Sequence, residues 1–124
     1  MAKIKILLVD DDPDFLEVTG EKIAGWGYDV IKTMEGKKAV EAVRNKVSDI
    51  VILDYKMPNM DGLVTLQEIR KIDDKIPVIM FTAYPNTGAL EFSLKLNVTT
   101  FIPKTDVTSL LEAAIKKAEK KLSK

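Results

Sequence analysis

Short apolar runs alternate along this chain with longer segments in which apolar residues recur every third or fourth position. Ile4–Val9 (IKILLV), Asp49–Asp54 (DIVILD) and Ile76–Thr82 (IPVIMFT) are near-continuous apolar runs. Runs of that length without polar alternation suit strands covered on both faces of a parallel sheet. Tyr28–Thr33 (YDVIKT) and Asn97–Ile102 (NVTTFI) are more polar and contain threonine, which predicts less protected strands near the sheet edges.

Helical spacing fills the intervals. Phe15, Thr19, Ile23 and Trp26 predict the apolar face of a first helix, which Gly27 is placed to close in a left-handed cap. Asp12 before Pro13 reads as an N-cap with proline in the first turn, and Asp61 before Gly62 as a second cap. Ala39, Val40, Val43 and Val47 mark a second helix; Leu63, Leu66, Ile69 and Ile72 mark a third. The fourth helical segment, around Leu90 to Leu96, has the weakest pattern. The fifth is the clearest, with Val107, Leu110, Leu111, Ala114, Ile115, Ala118 and Leu122 at helical spacing. Its lysines gather toward the C-terminal end, where they favour the helix dipole. Five strand–helix pairs with short connections predict one doubly wound α/β domain of (βα)5 type over residues 1–124. No linker or repeat divides it, and a single domain without an attached output domain is expected.

Composition narrows the chemistry. Nineteen basic and nineteen acidic side chains cancel, and only Arg44 and Arg70 are arginines. No bulk attraction to nucleic acid or to an anionic membrane is expected. The chain has no cysteine and no histidine. Disulfides, thiolate or imidazole metal sites, serine–histidine hydrolysis and any phosphohistidine on this chain are thereby excluded. No signal peptide or membrane span is visible, so a cytoplasmic protein is expected.

In a doubly wound sheet, ligands sit at the C-terminal strand ends near the switch in strand order. Those ends carry Asp10 and Asp11 after the first strand, Asp54 on the third, Thr82 on the fourth and Lys104 shortly after the fifth. Each has an ordinary explanation alone: a strand end, a common strand threonine, a solvated lysine. Together, three carboxylates on one rim favour a cation among them. Oxygen-only donors select a hard ion, and Mg²⁺ is expected, which retains open positions useful for phosphoryl groups.

These strand ends lie in longer motifs: ILLVDDD, IVILDYKMPNMDG, VIMFTA and FIPK. In these the chain resembles the receiver domain of two-component response regulators, the type found in chemotaxis and sporulation phosphorelay regulators. The resemblance runs through the whole chain, and the segment Leu53 to Gly62 is its most specific part. It implies a flavodoxin-like parallel sheet of strand order 2-1-3-4-5. It also implies that Asp54 is the phosphoacceptor, with Mg²⁺ held by Asp10, Asp11, Asp54 and the backbone carbonyl of Lys56. Lys104 would pair with the phosphoryl group, and Thr82 and Phe101 would form the switch. The implied donor is an external histidine kinase or histidine phosphotransfer protein. The implied output is to a downstream protein, through the face of the fourth helix, fifth strand and fifth helix. Such a domain assists its own phosphorylation without being a turnover enzyme.

The chain departs from the family pattern at two places. Lys104 precedes Thr105 where the family has proline, and Asn97-Val98 replaces the usual Gly-Ala, although asparagine can still adopt a left-handed conformation. Both fall on the output side, which predicts intact phosphorylation with a specialised output surface. Lys56 and Tyr84 flank the expected phosphoryl site, and their long side chains predict a slow loss of the phosphoryl group. A flavin binder would find its phosphate repelled by Asp10 to Asp12. A phosphatase with its nucleophile at Asp10 lacks the residues that follow in that motif. The alternative reading with most substance is a pseudo-receiver, the same fold acting as a phosphorylation-independent interaction module.

Overall fold

The structure, a computed structural model, describes residues 3–55, 62–82, 94–103 and 107–122, with the backbone alone at Thr82 and residues 107–109. Its strands are β1 (Lys5–Val9), β2 (Asp29–Thr33), β3 (Ile50–Asp54), β4 (Val78–Thr82) and β5 (Thr100–Pro103). Its helices are α1 (Pro13–Gly25), α2 (Gly36–Arg44), α3 (Gly62–Ile72) and α4 (Val107–Leu122). Here α4 is the fifth helical segment of the sequence; of the fourth, only Leu94 and Lys95 are described as helical.

All five strands are parallel and lie in the order β2-β1-β3-β4-β5. The apolar runs thus occupy the three inner positions, and the two more polar strands form the edges, as their polarity predicts. Alternation along each strand sends side chains to two separate cores. Ile6, Leu8, Ile52 and Phe81 pack under α1 and α4 against Leu16, Ile23, Leu111 and Ile115. Leu7, Val9, Leu53 and Met80 pack under α2 and α3 against Val40, Val43, Leu66 and Ile69.

Local signals set the helix ends. Asp12 has extended backbone, and its side-chain oxygen accepts hydrogen bonds from the backbone N–H groups of Asp14 and Phe15 at 3.0 and 3.4 Å. Pro13 follows in the first turn, where its missing N–H costs nothing. Gly27 closes α1 at φ +103°, a left-handed value open to glycine. The expected faces shift by a residue in places. Leu16 is the buried first-turn residue of α1, and Phe15 beside it is partly buried. Val47 lies beyond the end of α2 and is exposed, as are Ile72, Leu110 and Leu122. The last strand begins at Thr100 rather than Asn97 because Asn97 takes φ +62°, incompatible with an extended run.

Candidate functional site

The switch in strand order falls between β1 and β3, where Val9 pairs with Leu53. Asp10 and Asp54 are the next residues on these neighbouring strands, so parallel register sets the two carboxylates side by side. Asp10 stays tied to the sheet, its backbone N–H donating to the Thr33 carbonyl at 3.2 Å. Its Oδ1 accepts the Asp12 N–H at 2.9 Å, which shapes the turn into α1. Asp10, Asp11 and Asp54 each present a carboxylate oxygen within 4.8 Å of the others. Asp10 is fully buried and Asp54 is 3% exposed.

The three consecutive aspartates therefore divide their work. Asp10 and Asp11 join Asp54, while Asp12 turns to cap α1. Two charges about 5 Å apart repel by on the order of 3 kcal/mol at an effective dielectric constant of about 20. A hard divalent cation is the natural counterweight. The donor set fits Mg²⁺: carboxylate oxygens only, two of them on rigid strand ends.

The floor beneath Asp54 is built by close packing. The Gly62 N–H donates to the Tyr55 carbonyl at 2.7 Å, starting α3 directly against the end of β3. A Cβ on Gly62 would meet the Asp54 carbonyl oxygen and would lie 2.7 Å from Tyr55 Cα. The glycine of the Asp61–Gly62 pair is thus required by sterics, where the sequence reading stressed a helix cap; Asp61 itself lies outside the described residues. On the other side, Tyr55 N–H donates to the Phe81 carbonyl at 2.9 Å, and Asp54 pairs with Phe81 in the β3–β4 register. Phe81 in turn stacks on Phe15 of the first turn of α1, with ring centroids 5.1 Å apart. That stack links the acidic turn to the strand beside Asp54.

Thr82 ends β4 opposite Pro103 of β5, so the backbone brings it to the same rim; its side chain lies outside the described residues. Lys56, Tyr84 and Lys104 also lie outside them. Phe101 is half-buried against the α2–α3 core. Two features escaped sequence reasoning. The Arg70 side chain donates to four backbone carbonyls at the opposite rim. Tyr28 donates its hydroxyl hydrogen to Glu119 of α4 at 3.0 Å. The one available signal was compositional: arginine is rare in a lysine-rich chain, and a forked guanidinium suits several acceptors as lysine does not.

The family model described as the response regulator receiver domain matches residues 6–116. The chain belongs to this family. Escherichia coli K12 transcriptional regulatory protein ZraR is 36% identical over 115 residues, 93% of this chain. The chain spans only 26% of that relative's length. Among solved structures, a CheY-like receiver domain protein from Methanospirillum hungatei JF-1 superimposes with a TM-score of 0.90 at 26% identity, covering 98% of both chains. The receiver domain of Pseudomonas aeruginosa PAO1 sensor histidine kinase PA1611, solved with magnesium in its active-site cleft, is also 26% identical. It superimposes with a TM-score of 0.82, covering 95% of this chain and 99% of that one.

As a receiver domain of two-component systems, the chain has the strand order and fold expected of it. No described helix is long and apolar enough to cross a membrane. The expectation of no nucleic-acid role finds no support in the relatives, which are named as transcriptional regulators. The pseudo-receiver alternative finds none either.

Proposed function

We propose that this receiver domain takes a phosphoryl group from an external phosphohistidine onto Asp54 and works in the cytoplasm. The observation that carries this reading is the gathering of Asp10, Asp11 and Asp54, two of them buried, at the switch point of the sheet. Asp54 ends β3, and the residue after it, Tyr55, is tied by its N–H to the Phe81 carbonyl and by its own carbonyl to the Gly62 N–H. A carboxylate oxygen so held is a positioned nucleophile. It forms the new bond to phosphorus while the donor's P–N bond breaks, its electron pair leaving on the imidazole, which then takes up a proton. Asp10, Asp11, Asp54 and the Lys56 carbonyl would hold Mg²⁺. Once bound, the ion supplies positive charge against the phosphoryl oxygens. Lys104 would pair with the transferred group. Thr82 and Phe101 would carry the change to the surface of the fourth helical segment, β5 and α4, where a downstream protein binds. Attack of water on phosphorus, with cleavage of the acyl P–O bond, resets Asp54. Turnover of a separate substrate is not part of this scheme.

Intact-mass spectrometry after incubation with Mg²⁺ and acetyl phosphate tests the reading. One added phosphoryl group is expected, lost in Asp54→Asn and on chelation of the metal. A folded wild-type protein that gains nothing, and that also fails to bind a trapped phosphoryl mimic, would overturn it in favour of the pseudo-receiver.

A further inference from the structure

The rim opposite the acidic cluster holds a cation whose surroundings are unusual. Arg70, near the end of α3, donates from Nε to the Leu96 carbonyl at 2.7 Å and from Nη2 to the Asn97 carbonyl at 3.0 Å. Its Nη1 donates to the carbonyls of Ile76 at 2.7 Å and Asp73 at 3.2 Å. The four acceptors come from two loops, one leading into β4 and the other into β5. Burial lowers the guanidinium pKa from its ordinary value, and the charges of Asp73 and Asp74 partly offset this. A planar fork with several donors in fixed directions can hold both loops at once; a lysine cannot.

The strand beyond that fork is short and lies at the edge of the sheet. β5 is four residues long and, among the described residues, pairs with β4 alone. Its ladder begins where Thr99 N–H donates to the Val78 carbonyl at 2.8 Å, directly after the Arg70-bound segment. The hydroxyls of Thr99 and Thr100 are buried without hydrogen bonds, so they add nothing to its placement. Burial of Val98 and Ile102 opposes a slip. A slip of one residue would exchange the faces taken by Phe101 and Ile102.

We propose that Arg70 is a positioning residue for the phosphoryl chemistry: by clamping the loops before β4 and β5, it sets the register of β5 against β4. The proposal rests on the receiver reading above, since it matters for catalysis only if Asp54 is phosphorylated with help from the end of β5. The acidic cluster sits at the ends of β3 and β1, two and three strand positions away from β5. Disturbing β5 should therefore leave metal binding alone while slowing phosphorylation.

The test compares wild type with Arg70→Gln, Arg70→Lys, Lys104→Ala and the double variant Arg70→Gln/Lys104→Ala. Acetyl phosphate labelling gives the rate, calorimetric titration the Mg²⁺ affinity, and hydrogen exchange the Thr99 amide. Arg70→Gln is expected to slow phosphorylation by about tenfold or more. It should hold Mg²⁺ affinity within about twofold and speed exchange at Thr99. Arg70→Lys, keeping a donor but not the fork, should fall between wild type and Arg70→Gln. The double variant should be no slower than Lys104→Ala alone, because both changes remove the same contribution. Additive losses in the double variant, or Mg²⁺ affinity falling in step with the rate, would overturn the proposal. If Arg70→Gln does not fold, wild-type rate and exchange in Arg70→Lys would overturn it equally. A wild type that takes no phosphoryl group would instead strike the receiver reading.

Discussion

The two rims of the sheet solve opposite electrostatic problems. At the C-terminal rim, three carboxylates crowd together and two of them are buried. At the N-terminal rim, charges are consumed internally: Arg70 by four carbonyls, Asp73 by the N–H groups of Lys75 and Ile76, and Asp49 by that of Lys5. Tyr28 and Glu119 add a further bond there. The N-terminal rim ties its charges to backbone groups, and the C-terminal rim gathers carboxylates of like charge, which repel one another. The lesson is that carboxylates gathered for chemistry must be held in place by the structure around them.

The contrast can be broken hardest at Gly62. Gly62→Ala drives a methyl group into the backbone of Asp54 and Tyr55, which cannot yield as a side chain could. A loss of about 3–5 kcal/mol in urea unfolding, with phosphorylation abolished, is expected. Gly20 makes a useful control, because a Cβ there meets only the movable end of the Lys32 side chain. Gly20→Ala should stay within about 1 kcal/mol of wild type.

Next in size is the response to metal. Mg²⁺ at about a hundred times its dissociation constant should stabilise the wild type by about 2.7 kcal/mol. Asp54→Asn removes one charge from the cluster, so it should be more stable than wild type without metal and gain less than half as much with it. Thermal melts with and without Mg²⁺ read both effects. An Asp54→Asn protein that is less stable in metal-free buffer would remove the claim that this rim is strained by repulsion.

The smallest expected effect sharpens the other rim. Burial, then the hydrogen bond to Glu119 and the charges of Glu119 and Glu112, raise the Tyr28 pKa from its ordinary 10.0 to about 12. The folded chain thus favours the neutral phenol. Its stabilising contribution is complete below the unfolded value and is lost as pH rises through about 12. Tyr28→Phe should cost about 1 kcal/mol at neutral pH and flatten the alkaline fall in stability between those values. Denaturant midpoints measured across that range decide it.

Much of this was legible in the residues. The uninterrupted apolar runs of β1, β3 and β4 announced inner strands, and the register that follows places Asp10 beside Asp54. Asp12–Pro13 and Gly27 announced the ends of α1 through local geometry alone. What the residues did not announce depends on contacts distant in sequence. Arg70 meets carbonyls as far away as Asn97, Tyr28 meets Glu119, and Phe15 meets Phe81. Nothing in a neighbourhood of a few residues encodes such pairs. Val47 falls beyond the end of α2, while Ile72, Leu110 and Leu122 lie in the helices they marked but are exposed: helical period identifies an apolar stripe, not which of its flanks a neighbour covers.

The mounting of the acids has a consequence for how the molecule comes apart. β1 and β3 each have a strand on both sides and a helical layer above and below. β5 has a strand on one side only, with Phe101 and Ile102 packed against the two cores and Arg70 holding the loop before it. Openings of lowest free energy should therefore begin at β5, leaving β1 and β3 zipped. The β5 edge can open many times before the arrangement of the three carboxylates is lost.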